Sequence, residues 1–369
     1  MVDYNRYIRQ MILPGFGANA QHKLAEAKLL IVGMGGLGCP VLQYLAGAGV
    51  GTIGIMDADR VSLSNLHRQV LFDESDIGQL KVCVAAKKIK KLDSGIQVIE
   101  YPFQLNKENA LTIIKQFDCV LDATDNFGAK YLINDVCVQL GKAWIYGAVS
   151  GYEGQVAVMN NIQILEPVHY RHLFPKQPLR NEFASCEETG VIGVLPGIIG
   201  TMQAAEAIKW ITGLGKMQNS RLLNYHFLTG SWYEIGLTPN PEAPAIDESF
   251  FYQTNYDMEC INEENELDDI DIAEIDVKQL LEVLKQPGHF VLDVRELHEY
   301  PIVDFVHARI PMSVLKESLD QLPNQPVYII CHQGIRSLYA AQYIKLHKGV
   351  ETYSVKGGLT AYFNTVNNE

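Results

Sequence analysis

Leu29-Leu30-Ile31-Val32-Gly33-Met34-Gly35-Gly36-Leu37-Gly38 is a short apolar run that passes directly into a Gly-x-Gly-x-x-Gly turn, with a helical pattern after it. In an α/β sheet such glycines permit a tight turn and let backbone N–H groups approach a phosphate at a helix N-terminus. Asp57 closes the next apolar run, 51–56, at the distance usual for a carboxylate that grips ribose hydroxyls. Further strand-like runs at 119–121, 144–149 and 155–159 alternate with amphipathic helical patterns. This alternation predicts a Rossmann-like, doubly wound α/β sheet over residues 1–238. On the glycine motif alone an NAD-dependent oxidoreductase is the favoured reading, because many enzymes share the fingerprint.

The charged residues that follow point elsewhere. Asp57-x-Asp59 leads into Ser64-Asn65-Leu66-His67-Arg68-Gln69 and then Gly78-Gln79-Leu80-Lys81. An enzyme that cleaves a triphosphate needs cations such as Arg68 and Lys81 to neutralise charge building on the phosphates. In Leu121-Asp122-Ala123-Thr124-Asp125-Asn126, a carboxylate at the C-terminal end of a strand is a natural magnesium ligand.

These motifs, with Ser185-Cys186-Glu187-Glu188-Thr189-Gly190-Val191 and Leu195-Pro196-Gly197-Ile198-Ile199-Gly200, resemble the MoeB/ThiF/HesA group, relatives of ubiquitin-activating enzymes. The resemblance runs from about Tyr7 to Thr238. It implies adenylation, with ATP and magnesium, of the C-terminal glycine of a ubiquitin-like sulfur-carrier protein, MoaD-like or ThiS-like. The nucleotide-binding set it implies is Gly33, Gly35, Gly36, Asp57, Asp59, Ser64, Asn65, Arg68, Lys81, Asp125 and Asn126, with magnesium on Asp125. Arg68 and Lys81 would also be catalytic. Arg9 would reach the phosphates bound by the partner subunit of a homodimer. Cys186 is a candidate covalent residue; Glu187 and Glu188 beside it oppose thiolate formation. Relatives carry two Cys-x-x-Cys pairs for structural zinc. Here His169-Tyr170-Arg171-His172 and Glu242-Ala243-Pro244 stand instead, so no structural zinc is expected.

From Pro239 to about Ala273 prolines and crowded acidic residues read as a linker, with Phe250, Phe251, Tyr252 and Tyr256 as packing candidates. A smaller α/β unit is expected over 274–369, with helices at 277–284 and 337–346 and buried strands at 290–294 and 327–331. Its motifs are Asp293-Val294-Arg295-Glu296 with Glu299-Tyr300, then Cys331-His332-Gln333-Gly334-Ile335-Arg336-Ser337, then Lys356-Gly357-Gly358. In this order they resemble a rhodanese. A strand-loop-helix would place Cys331 in a cradle of N–H groups, with Arg336 nearby to stabilise a persulfide anion. Four residues separate Cys331 from Arg336, the sulfur-transfer length, where dual-specificity phosphatases of similar fold have a longer loop.

The chain has 369 residues and a formal net charge of -13, which excludes a phosphate-backbone footprint for nucleic acid. No apolar run is long enough for a membrane span, and the N-terminus lacks a signal-peptide layout, so a cytoplasmic enzyme is expected. The seven scattered cysteines read as free thiols. The two resemblances converge on sulfur activation. The carrier is adenylated, and the rhodanese unit brings persulfide sulfur from thiosulfate or a cysteine desulfurase. Molybdopterin synthesis is the first choice of pathway and thiamine the second. The alternatives are an NAD-dependent oxidoreductase with a regulatory rhodanese, or a non-catalytic scaffold that binds a carrier.

Overall fold

The computed structural model describes residues 4–177, 190–218, 220–256, 272–297 and 299–366. The chain divides into two compact units, Met1–Glu259 and Cys260–Glu369. The first runs α1 (Tyr4–Met11), α2 (Gly17–Glu26), β1 (Lys28–Val32), α3 (Gly38–Ala48), β2 (Thr52–Met56), α4 (Lys81–Leu92), β3 (Gln97–Tyr101), α5 (Ala110–Ile114), β4 (Cys119–Asp122) and α6 (Phe127–Gln139). It continues through β5 (Trp144–Ser150), β6 (Glu153–Met159), α7 (Tyr170–Leu173), α8 (Val194–Thr212), β7 (Arg221–His226), β8 (Ser231–Gly236) and α9 (Glu248–Gln253).

These strands form one sheet in the order β3-β2-β1-β4-β5-β6-β7-β8. β1 to β5 are parallel and β5 to β8 antiparallel. Period-two alternation assigns the faces: Leu29 and Ile31 enter one core with Leu42 and Leu45 of α3, while Leu30 and Val32 enter the other with Tyr131 of α6 and Trp144. Both faces are covered, so the β1 run is continuously apolar rather than alternating with polar residues. The strand order reverses between β1 and β4, which opens a crevice at their C-terminal ends.

Part of the acidic stretch 239–273 belongs to the first unit's fold. Asp247 caps α9 by accepting from the Phe250 N–H at 2.7 Å, and Phe251 is fully buried against the α6 side of the sheet. Lys107 Nζ donates to the carbonyls of Tyr252 (2.7 Å) and Thr254 (2.9 Å). Aromatic burial outweighs the local acidity there, the possibility that the four aromatics raised.

The second unit runs β9 (Ala273–Ile275), α10 (Val277–Leu284), β10 (Phe290–Asp293), β11 (Ala308–Arg309), β12 (Val327–Ile330), α11 (Ile335–Lys348), β13 (Thr352–Val355) and α12 (Gly358–Val366). Its sheet is parallel throughout, in the order β11-β10-β12-β13-β9. Asp276 and Gln279 cap α10 reciprocally. β9 and β11, three and two residues long, carry too few residues to stand out in the sequence. Among the described residues no helix is long and apolar enough to cross a membrane.

Candidate functional sites

The glycine turn leaves β1 at Gly33, whose φ of +96° favours glycine. A Cβ there would also stand 2.6 Å from the Ala123 carbonyl oxygen at the end of β4. The turn is therefore pressed against the Ala123-Thr124 corner at the crevice. α3 begins just beyond it without a side-chain cap; the Cys39 N–H already donates to the Gly35 carbonyl at 3.1 Å and Pro40 has none, so the Leu37 and Gly38 N–H groups are those left for an anion. A Cβ on Gly36 would lie 3.5 Å from the Arg68 carbonyl oxygen, and one on Gly35 would lie 3.8 Å from Gln69 Nε2. Arg68 and Gln69, at the end of the segment that starts at Asn65, thus line the turn.

Asp57 follows β2 and accepts from the Met34 N–H on Oδ2 and the Asp59 N–H on Oδ1, each at 2.7 Å. Each oxygen keeps a lone pair for a further donor such as a ribose hydroxyl. Burial pushes its pKa above the ordinary carboxylate value, and the Lys81 ammonium offsets this in part. Lys81 opens α4, where a cation opposes the helix dipole, and two carboxylates compensate: Asp59 at 2.8 Å and Asp57 at 3.9 Å. Arg68 Nη1 donates to the Ser64 carbonyl and contacts His67 Nε2, both at 2.9 Å; Nε and Nη2 make no hydrogen bond among the described residues. Ser64 Oγ pairs with Ser62 Oγ at 3.0 Å.

The Asp122-to-Asn126 motif separates into three roles. Asp122 is fully buried, with Thr124 on Oδ1 and Lys130 Nζ on Oδ2 at 2.8 Å, so it anchors the corner. Asn126 caps α6, its Oδ1 accepting from the Ala129 N–H at 2.7 Å. Asp125 between them is exposed and makes no hydrogen bond or ion pair among the described residues. One free carboxylate beside a phosphate site suits magnesium, which binds through one or two carboxylates plus phosphates.

The structure thus brings together Gly33, Gly35, Gly36, Asp57, Asp59, Arg68 and Lys81, with Asn65 on the lining segment and Asp125 on the adjoining corner. Arg9 stands exposed on α1 without a hydrogen bond or ion pair among the described residues. Cys186 lies outside the described residues. Two glutamines escape a reading based on charge. Gln69 is buried with Oε1 unpartnered, and Gln203 of α8 donates to the Asp122 carbonyl at 2.7 Å and the Ile145 carbonyl at 3.2 Å, tying the β4 and β5 ends together. A glycine cradle, an orphaned buried carboxamide, two cations and a carboxylate with spare lone pairs fit a nucleotide triphosphate.

His169 and His172 stack with ring centroids 3.8 Å apart, and His172 Nδ1 accepts from the His169 N–H at 3.2 Å. Burial first, then His172 and Arg171, hold the His169 pKa down to about 4. No group of three or more His, Cys, Asp or Glu is placed to hold a metal among the described residues. Burial also pushes the Cys39 thiol up to about 12 and the Cys119 and Cys137 thiols well above their ordinary value, so these three are packing residues.

In the second unit Cys331 follows β12 and is buried, with its Sγ 3.1 Å from the Gly334 N–H that donates to it. Gly334 has φ +94° and turns the loop into α11, aiming that N–H back at the sulfur. The loop carbonyls are tied down elsewhere. Leu359 N donates to the Cys331 carbonyl at 2.9 Å, and Thr360 N and Oγ1 both donate to the His332 carbonyl at 3.0 Å. That contact explains the Lys356-Gly357-Gly358 motif, since a Cβ on Gly358 would stand 2.3 Å from the Cys331 carbonyl oxygen. Cys331 Sγ also lies 3.6 Å from Ser337 Oγ, which pairs with the buried Ser354 Oγ at 2.9 Å. These hydroxyls were not singled out as site residues; only the position of Ser337 after Arg336 signals them. Arg336 sits in the first turn of α11 in a bidentate pair with Glu299.

A nucleotide cradle at the switch point of an α/β sheet and an N–H-held cysteine at the end of a parallel sheet define an adenylating enzyme joined to a sulfurtransferase domain. The chain belongs to the ThiF family, which it matches over residues 7–245, and it carries a rhodanese-like domain over residues 276–365. It is similar to the sulfur carrier protein adenylyltransferase of Thermus thermophilus, at 46% identity over 66% of this chain and 90% of that protein. It is also similar to an adenylyltransferase and sulfurtransferase, MOCS3, of Arabidopsis thaliana, at 35% identity over 98% of this chain and 84% of that one. The probable adenylyltransferase/sulfurtransferase MoeZ of Mycobacterium tuberculosis matches at 34% identity over 97% and 92%. Crystalline E. coli MccB with ATP shares the fold, with a TM-score of 0.56 and 23% identity over 64% of this chain and 73% of that chain. The chain is therefore an adenylyltransferase and sulfurtransferase, of a family that uses ATP.

Proposed function

We propose that this enzyme adenylates the C-terminal glycine of a ubiquitin-like sulfur-carrier protein and then converts the adenylate to a thiocarboxylate with sulfur carried on Cys331. The observation that carries the reading is the pairing, in one chain, of the Gly33–Gly36 cradle facing Lys81, Arg68 and Asp57 with a cysteine held by the Gly334 N–H. The carrier carboxylate attacks the α-phosphorus of ATP, and the bond to pyrophosphate breaks. Two anions must meet in that step, and Lys81 and Arg68 offset the repulsion. Asp125 would hold magnesium, which supplies further charge neutralisation on the phosphates. Arg9 would complete the site across a homodimer.

Cys331 takes sulfane sulfur from a donor, and the Gly334 N–H stabilises the sulfur it carries, while the Ser337 hydroxyl donates to the Gly334 carbonyl at 3.0 Å and holds that loop residue in place. The outer persulfide sulfur then attacks the acyl carbon of the adenylate, AMP leaves, and an acyl disulfide to Cys331 forms. A thiol attacks Cys331 Sγ, the S–S bond breaks, the thiocarboxylate departs, and a second thiol reduces the disulfide left on Cys331. Molybdopterin synthesis is the favoured destination and thiamine the second, in the cytoplasm. ATP–pyrophosphate exchange by the purified chain, with carriers ending in Gly-Gly added singly, tests the reading. Exchange that appears only with one such carrier, followed by a carrier heavier by the replacement of oxygen with sulfur, is expected. Exchange indifferent to every carrier overturns it.

A further inference from the structure

An ion pair stands beside the sulfur loop that the transfer chemistry leaves unused. Arg336 lies two residues beyond the N–H that holds Cys331 Sγ. Its Nη1 and Nη2 donate to Glu299 Oε1 and Oε2 at 2.6 and 2.9 Å, and both side chains are largely buried. Glu299 is itself braced: Oε1 accepts from the Glu296 N–H at 2.8 Å, and Arg309 Nη2 donates to the carbonyls of Glu296 (2.8 Å) and Glu299 (3.2 Å). Burial raises the Glu299 pKa, but the hydrogen bonds from Arg336 and the Glu296 N–H and the charges of Arg336 and Arg295 together outweigh it and leave the carboxyl below its ordinary value. The neighbouring Arg295 and Arg309 share one carboxylate, that of Asp293. Arg295 grips Asp293 through Nε and Nη2, and Arg309 Nε faces the same Asp293 at 3.4 Å. The exposed loop residues, His332 and Gln333, add no fixed cation.

A fork-on-fork pair directs the guanidinium at the carboxylate and away from a third anion. Sulfane-sulfur donors differ in the charge of the group they leave behind. Thiosulfate is a dianion that leaves sulfite, whereas a cysteine persulfide leaves a thiolate and brings no sulfonate.

Resting on the reading of Cys331 as the sulfur-carrying nucleophile, we propose that Glu299 is a specificity-determining residue: by occupying Arg336 it turns the loop away from thiosulfate and towards a persulfide borne on a cysteine side chain. The Cys331 thiolate attacks the terminal sulfur of the donor R–S–SH. The donor S–S bond breaks, R–S⁻ departs, and Cys331–S–SH remains. The sulfane sulfur passes between two thiols with no net oxidation or reduction.

The test compares thiosulfate with methanethiosulfonate, a monoanion offering the same sulfane sulfur with one charge fewer on the leaving group. Sulfur transfer by the full chain to cyanide is followed as kcat/KM for each donor. The wild-type chain should favour methanethiosulfonate. Glu299→Gln should raise the thiosulfate-to-methanethiosulfonate ratio roughly tenfold, the size of one charged hydrogen bond. That gain should shrink in high salt, as an unpaired cation near the surface requires. Glu299→Asp, which keeps the charge, should keep the wild-type ratio even where the overall rate falls. A wild-type preference for thiosulfate, or an unchanged ratio in a folded Glu299→Gln chain, overturns the inference alone. A wild-type chain that takes sulfur from neither donor overturns the reading of Cys331 and this inference with it.

Discussion

The phenol of Tyr256 donates 2.9 Å to Asp135 Oδ2, a carboxylate without solvent exposure that Arg171 already grips through Nε and Nη2 at 2.8 and 2.7 Å. The Arg171 guanidinium lies over the rings of Tyr131 and Phe250, 4.7 and 4.8 Å from their centroids. Two strongly polar groups are thus buried together with their partners, and the pair latches the 247–256 segment onto α6 and α7.

Removing Arg171 leaves Asp135 buried and uncompensated, so Arg171→Ala should destabilise the first unit by about 3–5 kcal/mol. Tyr256→Phe removes one donor of several and should cost about 1–3 kcal/mol. Denaturant melts of the full chain check both. Equal, negligible losses would mean that the latch contributes nothing to stability.

The adenylation site and the sulfur site lie in different units, so their variants should separate. Asp125→Ala should abolish carrier adenylation, and Lys81→Ala should reduce ATP–pyrophosphate exchange about 10²- to 10³-fold. Both should leave sulfur transfer at Cys331 intact. Loss of both activities in a folded Asp125→Ala chain would contradict two independent sites.

Cys331→Ala should eliminate sulfur transfer and thiocarboxylate formation while leaving exchange near normal, since adenylation needs no thiol. Cys186→Ala should spare exchange and lower sulfur delivery in part. Ser337→Ala removes the hydroxyl that donates to the Gly334 carbonyl at 3.0 Å and should slow transfer roughly tenfold by loosening the residue whose N–H holds Sγ, as for one modest hydrogen bond. Weighing the carrier after incubation with ATP and a sulfur donor reads all three. A carrier thiolated normally by Cys331→Ala but not by Cys186→Ala would exchange their roles.

His169 should make stability pH-dependent. Its folded pKa, about 4, lies below the ordinary 6.5, so between those values the unfolded chain binds the extra proton. Stability from this group is fully present above pH 6.5 and is lost as pH falls from there towards about 4. His169→Gln should flatten the decline in melting temperature across that window. An unchanged slope would place the sensitivity elsewhere.

Metal analysis of the purified chain should find no stoichiometric zinc, and dialysis against a chelator should leave the melt unchanged. About one zinc per chain would make His169 and His172 ligand candidates.

Much of the candidate nucleotide site stands in contiguous motifs because its signals are local. Gly33 to Gly38, Asp57 and the Ser64–Gln69 segment are contiguous motifs, and the alternation of Leu29 and Ile31 with Leu30 and Val32 already assigns the faces of β1. The loop from Cys331 to Arg336 was legible for the same reason. The antiparallel strand β8 was not, because every residue of it is exposed; β7 carries buried Leu222 and Leu223 but does not stand out from the helical and polar segments around it.

What the sequence by itself determined is the chemistry available: which residues can bind phosphate, neutralise charge or carry sulfur, and in what order along the chain. Tertiary structure decided which groups remain available for that chemistry. Asp122 and Asp125 are three residues apart and alike in sequence, yet Lys130 and Thr124 take the first into the core while the second stays exposed at the crevice without a partner among the described residues. Asn126 is taken by the α6 cap, and Arg336 by Glu299, thirty-seven residues away. The physical reason is that a polar side chain drawn out of water must find a partner, and which partner it meets depends on which distant segments the fold packs beside it.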